Sequence, residues 1–287
     1  MKKWILWIGF IFTVNQIYAQ YFNFTSSDEN LSKYNVIDSA YLKCSYKLTY
    51  LKDPFKPEDK STDLQILLIG KEISKYYSQY ALDYNHYVMK EVKKGAETVS
   101  NIKESGAWSY QLFKDYSQGK ETVTDIASML RGNYIYKEDF PLFDWKINDE
   151  KQTILSYTCQ KATVSFRGRN FIAWFAADIP IPNGPWKFGG LPGLILKLSD
   201  SENNFIYECQ GIERLKEKEL IKFYKVDYTK VSRKELDKLY RRFHDDFAAY
   251  QFATTGRGMY VVDPKTKKST YIEHSFRKIP YNPIELE

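Results

Sequence analysis

Apolar positions along this chain mostly recur in twos or run on continuously, and a clear 3.6-residue period is confined to one place. Tyr, Leu, Cys, Tyr and Leu recur from Ile37 to Leu51, which predicts a strand broken by Asp53-Pro54 and Lys56-Pro57. Leu64 to Ile69 reads as a short buried strand closed by Gly70. Ser74 to Lys94 fits neither period cleanly: Leu82, Val88, Met89 and Val92 suit a helix face, while the many tyrosines weaken it. Trp108 to Tyr116 alternates as a strand, Thr122 to Leu130 reads as a strand or a short helix, and the strand pattern resumes at Tyr134 to Tyr136 and at Trp145 to Ile147. Ile154 to Phe166 and Phe171 to Phe175 flank Arg167-Gly168-Arg169-Asn170, and Leu194 to Leu198 and Phe205 to Ile212 flank Asp200-Ser201-Glu202-Asn203-Asn204. Each is a pair of β-rich runs around a turn sequence, the signature of a hairpin. Leu220 to Tyr228 is a further strand, and Met259 to Val262 and Thr270 to His274 pair around Asp263-Pro264-Lys265.

The helical exception lies near the end. Ser232 with Glu235 forms a capping box, and Leu236, Leu239, Tyr240, Phe243, Phe247 and Tyr250 then recur at spacings of three and four. Strand runs joined by hairpins with one late helix predict an α+β domain dominated by antiparallel sheet. One long amphipathic helix near 232–250 packs on that sheet, which could curve around it. A composition of 43% hydrophobic and 27% charged residues excludes disorder, and 17% aromatics favours β structure. No Pro- or Gly-rich linker and no internal repeat divide residues 20–287, so a single domain is expected.

The first 19 residues carry their own signal. Lys2 and Lys3 precede an apolar run from Trp4 to Val14, and Ala19 offers a small residue for cleavage. The run is short of the roughly 20 residues a span needs, and Asn15 and Gln16 interrupt it. A periplasmic or secreted protein without an integral span is therefore expected after cleavage near Ala19. Loss of the two lysines lowers the net charge from +6 to +4. Basic residues alternate with acids, as in Lys216-Glu217-Lys218-Glu219, so a nucleic-acid partner is not expected. Export permits disulfides, but three cysteines, Cys44, Cys159 and Cys209, allow at most one bridge and leave its partners open.

One segment is unlike the rest. Half of the 16 residues from Asp178 to Gly193 are Pro or Gly, and Gly190 to Ile195 spells GLPGLI. With the Cys159-Gln160-Lys161-Ala162 strand, the Arg167-Gly168-Arg169 turn, Ala173-Trp174 and the closing Tyr281-Asn282-Pro283-Ile284, the chain resembles the GLPGLI family of exported Bacteroidota proteins. That resemblance implies a secreted or periplasmic protein of largely undefined role, with no catalytic residues to carry over. Read from the residues alone, Pro180, Pro182 and Pro185 impose a stiff path. Gly189 and Gly190 permit positive φ or close backbone approach. Leu191-Pro192-Gly193 suits a type II turn. Trp186 and Phe188 flank Lys187, either as plugs of a crossover packed on the sheet or as a rigid aromatic binding loop. Residues 186–193 (Trp186, Lys187, Phe188, Gly189, Gly190, Leu191, Pro192 and Gly193) are the candidate binding residues. Arg167 and Arg169 join them as a carboxylate clamp, set against their reading as solvated turn charges.

Catalytic patterns are missing. HExxH, GxSxG, P-loop and GxGxxG do not occur, and His86, His244 and His274 lie in distant segments. His244-Asp245-Asp246 are adjacent on a predicted helix and so diverge, which leaves neither metal nor cofactor indicated. The expectation is an envelope binding or accessory protein for an apolar ligand, a peptide or an outer-membrane protein. The alternative is a hydrolase acting on peptide or envelope material.

Overall fold

Tyr34–Leu51 forms β1, an 18-residue strand at the centre of the sheet. It pairs on one side with β2 (Lys60–Ile69) and on the other with β11 (Phe205–Tyr224), both antiparallel. The computed structural model describes residues 33–94, 107–126, 130, 132–256, 258–262, 266, 268–275 and 278–287. The expected signal segment and the turn at 263–265 lie outside the described residues. From β2 the sheet continues through β3 (Ile73–Ser78), β4 (Tyr110–Asp115), β5 (Lys120–Asp125) and β6 (Tyr134–Asp139) to β12 (Thr229–Lys230). From β11 it continues through β10 (Leu194–Asp200), β9 (Arg169–Ala176) and β8 (Tyr157–Phe166) to β7 (Lys146–Ile154). β13 (Met259–Val262) and β14 (Ser269–Ile272) make a separate two-stranded hairpin.

Alternation gives each face its own core. Leu42, Cys44, Tyr46 and Leu48 of β1 face the larger one with Phe171, Phe175, Phe205 and Tyr207. Ala40 belongs to a smaller core on the opposite face with Ile66, Leu68, Tyr77, Phe113 and Ile221. Ala40 and Leu42 would share a face in a regular strand. The register shift against β11 between them reverses the alternation and bends the sheet. Leu82 of α1 (Gln79–Lys93) packs against the smaller core.

The β8–β9 turn consists of Arg167 at φ +43° and Gly168 at φ +80°. Two positive φ values in a two-residue loop are what the right-handed twist of a hairpin favours.

Two parts of the expected fold need correction. The long helix of 232–250 does not exist. α2 (Arg233–Asp245) has the expected Ser232–Glu235 capping box but ends at Asp246, where φ −150° and ψ 88° leave the helical region. Asp246 then serves as N-cap of α3 (Phe247–Thr255), accepting from Ala249 N–H at 3.1 Å. Phe243, Phe247 and Tyr250 stay in ring contact across the break, so the apolar spacing passes through it unchanged. The class is accordingly mostly β, a 12-stranded sheet with short helices. That sheet is mixed, because β12 runs parallel to β6.

Among the described residues, no helix is long and apolar enough to cross a membrane. Cys44, Cys159 and Cys209 are buried free thiols.

Candidate functional site

Residues 178–193 connect β9 to β10 and fold into the larger core. Asn183 and Gly189 form a bridge, and Gly190 N–H donates to Pro182 O at 3.1 Å. Gly190 sits at φ +81°, the position that needs glycine for its conformation. Gly193 has no positive φ, contrary to the type II turn. Its need is space, since a Cβ there would lie 2.2 Å from Ala176 O. Lys114 of β4 pins the loop from beneath: its ammonium donates to Asn183 Oδ1 at 3.0 Å, Gly184 O at 3.3 Å and Phe188 O at 2.8 Å. Three acceptors match three protons. Burial nevertheless pushes the Lys114 pKa down to about 7, against the pull of Glu121.

The sequence-selected side chains turn inward. Phe188 is fully buried among Phe143, Phe166 and Phe171, and Leu191 is buried too; Gly190 and Pro192 are the exposed positions of the stretch 186–193. Lys187, with no exposed side-chain surface, meets Glu121 at 3.3 Å, Glu285 at 3.1 Å and Tyr136 OH at 3.1 Å, and also contacts Glu138. Arg167 does hold carboxylates, and they belong to the chain itself: Glu138 at 2.8 Å and Glu285. Arg169 holds Asp200 at 3.2 Å, Asn282 Oδ1 at 2.6 Å and Pro283 O at 2.9 Å. Trp186 Nε1 donates to Glu285 Oε1 at 2.9 Å. Arg167, Arg169, Trp186 and Lys187 therefore converge on residues 282–285, which they tie across the face of the sheet.

This charge cluster is sorted by environment. Burial pushes the Glu121 carboxyl up to about 8, with Lys187 pulling down and Glu138 pushing further up. Burial also opposes ionisation of Glu138, but Lys187 and Arg167 outweigh it and hold that carboxyl at about 2. Glu285 is likewise held below its usual range, its burial outweighed by Lys187 and Arg167. Burial disfavours the Lys187 ammonium, yet Glu285 and its neighbours keep it charged. At neutral pH the cluster thus holds Lys187, Arg167 and Arg233 against ionised Glu138 and Glu285, with Glu121 carrying a proton.

Between the C-terminal segment, α2 and the sheet lies a cavity of about 310 Å³. Its rings form an unbroken arc. Tyr50 meets Trp108 at 5.9 Å, Trp108 meets Trp186 at 6.3 Å, and Trp186 meets Tyr110 at 5.9 Å. Tyr110 meets Tyr240 at 5.8 Å, Tyr240 stacks on Tyr281 at 6.3 Å, and Tyr281 stacks on His244 at 4.6 Å. Arg233, Asp237 and Glu285 supply polar edges, and Lys52 also lines the cavity. Burial pushes the His244 imidazole pKa down, against backbone hydrogen bonds with Ile279 and Pro280 that favour the charged form. Asp125, behind Tyr240, is pushed up to about 6 by burial while its neighbours Ser109 and Tyr240 hydrogen-bond to it.

Of the sequence-selected residues only Trp186 faces this cavity. The rest of the wall comes from β1 and the adjoining Lys52, from Ala107 and Trp108 just before β4, from β4, β6 and α2, and from the C-terminal segment, too scattered along the chain to form a motif. Its signals were the high aromatic content and the closing Tyr281-Asn282-Pro283-Ile284, which lines the cavity. The three histidines stay apart: His86 is on α1, His244 on the cavity wall, and His274 bonds Asp246 at 2.6 Å. Asp245 pairs with Lys278 at 2.8 Å, so His244, Asp245 and Asp246 face three different partners.

Residues 166–197 match a family model described as "Protein of unknown function (Porph_ging)". The stretch runs from the end of β8 through the Pro/Gly loop into β10. No curated protein matches the chain. Among solved structures it is similar to PNGF-II at 12% identity and a TM-score of 0.48, covering 70% of this chain and 33% of that one. It is also similar to an uncharacterised conserved protein from Thermus thermophilus at 9% identity and a TM-score of 0.35, covering 68% and 91%. The chain thus spans about a third of the length of PNGF-II.

Proposed function

We propose that this is an exported, GLPGLI-type binding protein of the bacterial envelope that holds a small ligand in the aromatic cavity and does not transform it. The observation that carries the reading is the arc of aromatic rings around a space of about 310 Å³, within the size range of small-molecule sites. Burial of Trp186 and Phe188 favours a small ligand over a flat protein partner, which would need those rings exposed. The residues that line the cavity include no Ser or Cys, and the Asp that lines it with His244, Asp237, is already held by Arg241 and the Tyr281 hydroxyl. Glu285, held ionised by Lys187 and Arg167, is a poor proton donor at neutral pH. Both points favour binding over hydrolysis.

The test is native mass spectrometry of the protein purified from its own host, with Ala107→Phe as the cavity-filled variant. The wild type should carry a stoichiometric small molecule that the variant, melting cooperatively, lacks. An empty wild type, or an adduct equally present in Ala107→Phe, would count against the cavity as the site.

A further inference from the structure

The cavity's charges narrow what it can hold. A cation would seek the ring faces, which attract positive charge. Four of the lining rings already carry one: Lys52 Nζ lies 5.5 Å over Tyr50, Lys187 Nζ 5.5 Å over Trp186 and 5.1 Å over Tyr136, and the Arg241 guanidinium 5.7 Å over Tyr281. An anion meets the carboxylates of Asp237 and Glu285 on the wall. The lining charges also balance, Lys52 and Arg233 against Asp237 and Glu285, and they are answered within the protein. Asp237 accepts from Arg241 at 2.7 Å and from Tyr281 OH at 3.1 Å. Glu285 is bound by Lys187 and Trp186, and Arg233 lies 3.5 Å from Glu285 and 3.8 Å from Glu138. The four lining charges therefore sum to zero.

A wholly apolar ligand fails for the opposite reason. It would strip water from Arg233, whose side chain is 20% exposed, and from Asp237, 28% exposed, and return no hydrogen bond. A hydroxyl both donates and accepts, so it can meet a carboxylate edge and a guanidinium edge alike. The requirements that remain are a neutral molecule, an apolar flat face for the rings, and hydroxyls around its rim.

We propose that the ligand is a neutral sugar ring, free or as a residue of a glycan, lying on the Trp108–Trp186–Tyr110 wall with its hydroxyls towards Arg233, Asp237 and Glu285. This rests on the cavity reading above.

Trp108 and Trp186 both line the cavity, so tryptophan fluorescence reports occupancy and calorimetry gives stoichiometry. The probes are phenyl glycosides of glucose, galactose, mannose and N-acetylglucosamine, with three matched controls. Phenyl glucuronide carries a carboxylate, phenyl glucosaminide an ammonium, and phenyl cyclohexyl ether keeps both rings but no hydroxyls. At least one neutral glycoside should bind one to one, at least tenfold tighter than any control, and lose binding in Ala107→Phe. Arg233→Gln should weaken it at least tenfold while leaving the ether unchanged. Equal or tighter binding of the ether or of a charged analogue, abolished by Ala107→Phe, overturns the sugar assignment and leaves the cavity reading standing. If no probe of any kind binds in a way that Ala107→Phe abolishes, the cavity reading falls and the sugar with it.

Discussion

Lys187 and Glu121 sit in the same buried cluster and should respond to mutation in opposite ways. Lys187 is the cation that Glu121, Glu138 and Glu285 share. Lys187→Met leaves the ionised Glu138 and Glu285 with less compensation in a buried site, and a cost on the order of 3–5 kcal/mol in urea unfolding is expected. Glu121 is instead neutral at moderate pH. Its folded carboxyl keeps a proton up to about pH 8, against an ordinary value of 4.5. Between those values the folded chain binds more protons than the unfolded one, so stability is full below 4.5 and falls as pH rises through 8. Glu121→Gln has no such proton to lose. The melting temperature of the variant minus that of the wild type should be near zero at pH 5 and clearly positive at pH 9. Taking the difference cancels groups common to both proteins, such as Asp125. A flat difference from pH 5 to 9 would mean that Glu121 is ionised throughout. None of this could be read from the residues in order, since Glu121, Glu138, Lys187 and Glu285 come from β5, β6, a loop and the C-terminal segment.

At the scale of elements, glycine separates the two ways a loop can depend on missing atoms. A Cβ at Gly193 would sit 2.2 Å from Ala176 O, which is backbone and cannot swing away. Gly193→Ala should therefore cost more than about 2 kcal/mol by displacing β9 from β10. Gly211, within β11, has open space where a Cβ would stand, with no atom within 4 Å. Gly211→Ala should leave stability unchanged or raise it by up to about 1 kcal/mol. Equal losses in urea unfolding would show that glycine content matters there rather than the close approach. Elements also mark how far the pattern of apolar positions reached. The hairpin at Arg167-Gly168 and the capping box at Ser232 were legible, because each is decided by neighbouring residues. The end of α2 was not, because Asp246 breaks the helix by capping α3 and by accepting from Ser275 N–H at 2.8 Å, a contact 29 residues away. Lys216-Glu217-Lys218-Glu219 falls between the two strands expected at Phe205 to Ile212 and Leu220 to Tyr228; in the fold it lies inside the 20-residue β11. Charge marks exposure there and says nothing against an extended backbone.

Across the whole molecule, the segment 279–287 closes one side of the cavity and joins parts of the fold that are otherwise far apart. Ile279 N–H donates to His244 O at 2.8 Å, Asn282 Nδ2 to Leu51 O at 2.8 Å, and Leu286 N–H to Arg167 O at 2.9 Å. α2, β1 and the β8–β9 turn are thereby held to one strap, and Ile284 is buried beneath it. Glu285 is its charged anchor, with Lys187, Arg167 and Trp186 as partners. Glu285→Gln keeps the shape and an acceptor for Trp186 but leaves the Lys187–Arg167–Arg233 side of the cluster with one fewer negative charge in a buried site. A loss of about 3 kcal/mol is expected. Because the strap is held at its ends by single backbone bonds, it should loosen before the sheet does. In native-state hydrogen exchange the amides of Ile279 and Leu286 should exchange at least tenfold faster in the variant. Those of Tyr46 and Leu48, in the central pairing of β1, should change only by the global loss. Exchange at Leu286 that tracks β1 in step would mean that strap and sheet unfold as one unit, and the cavity would then open only when the whole protein does.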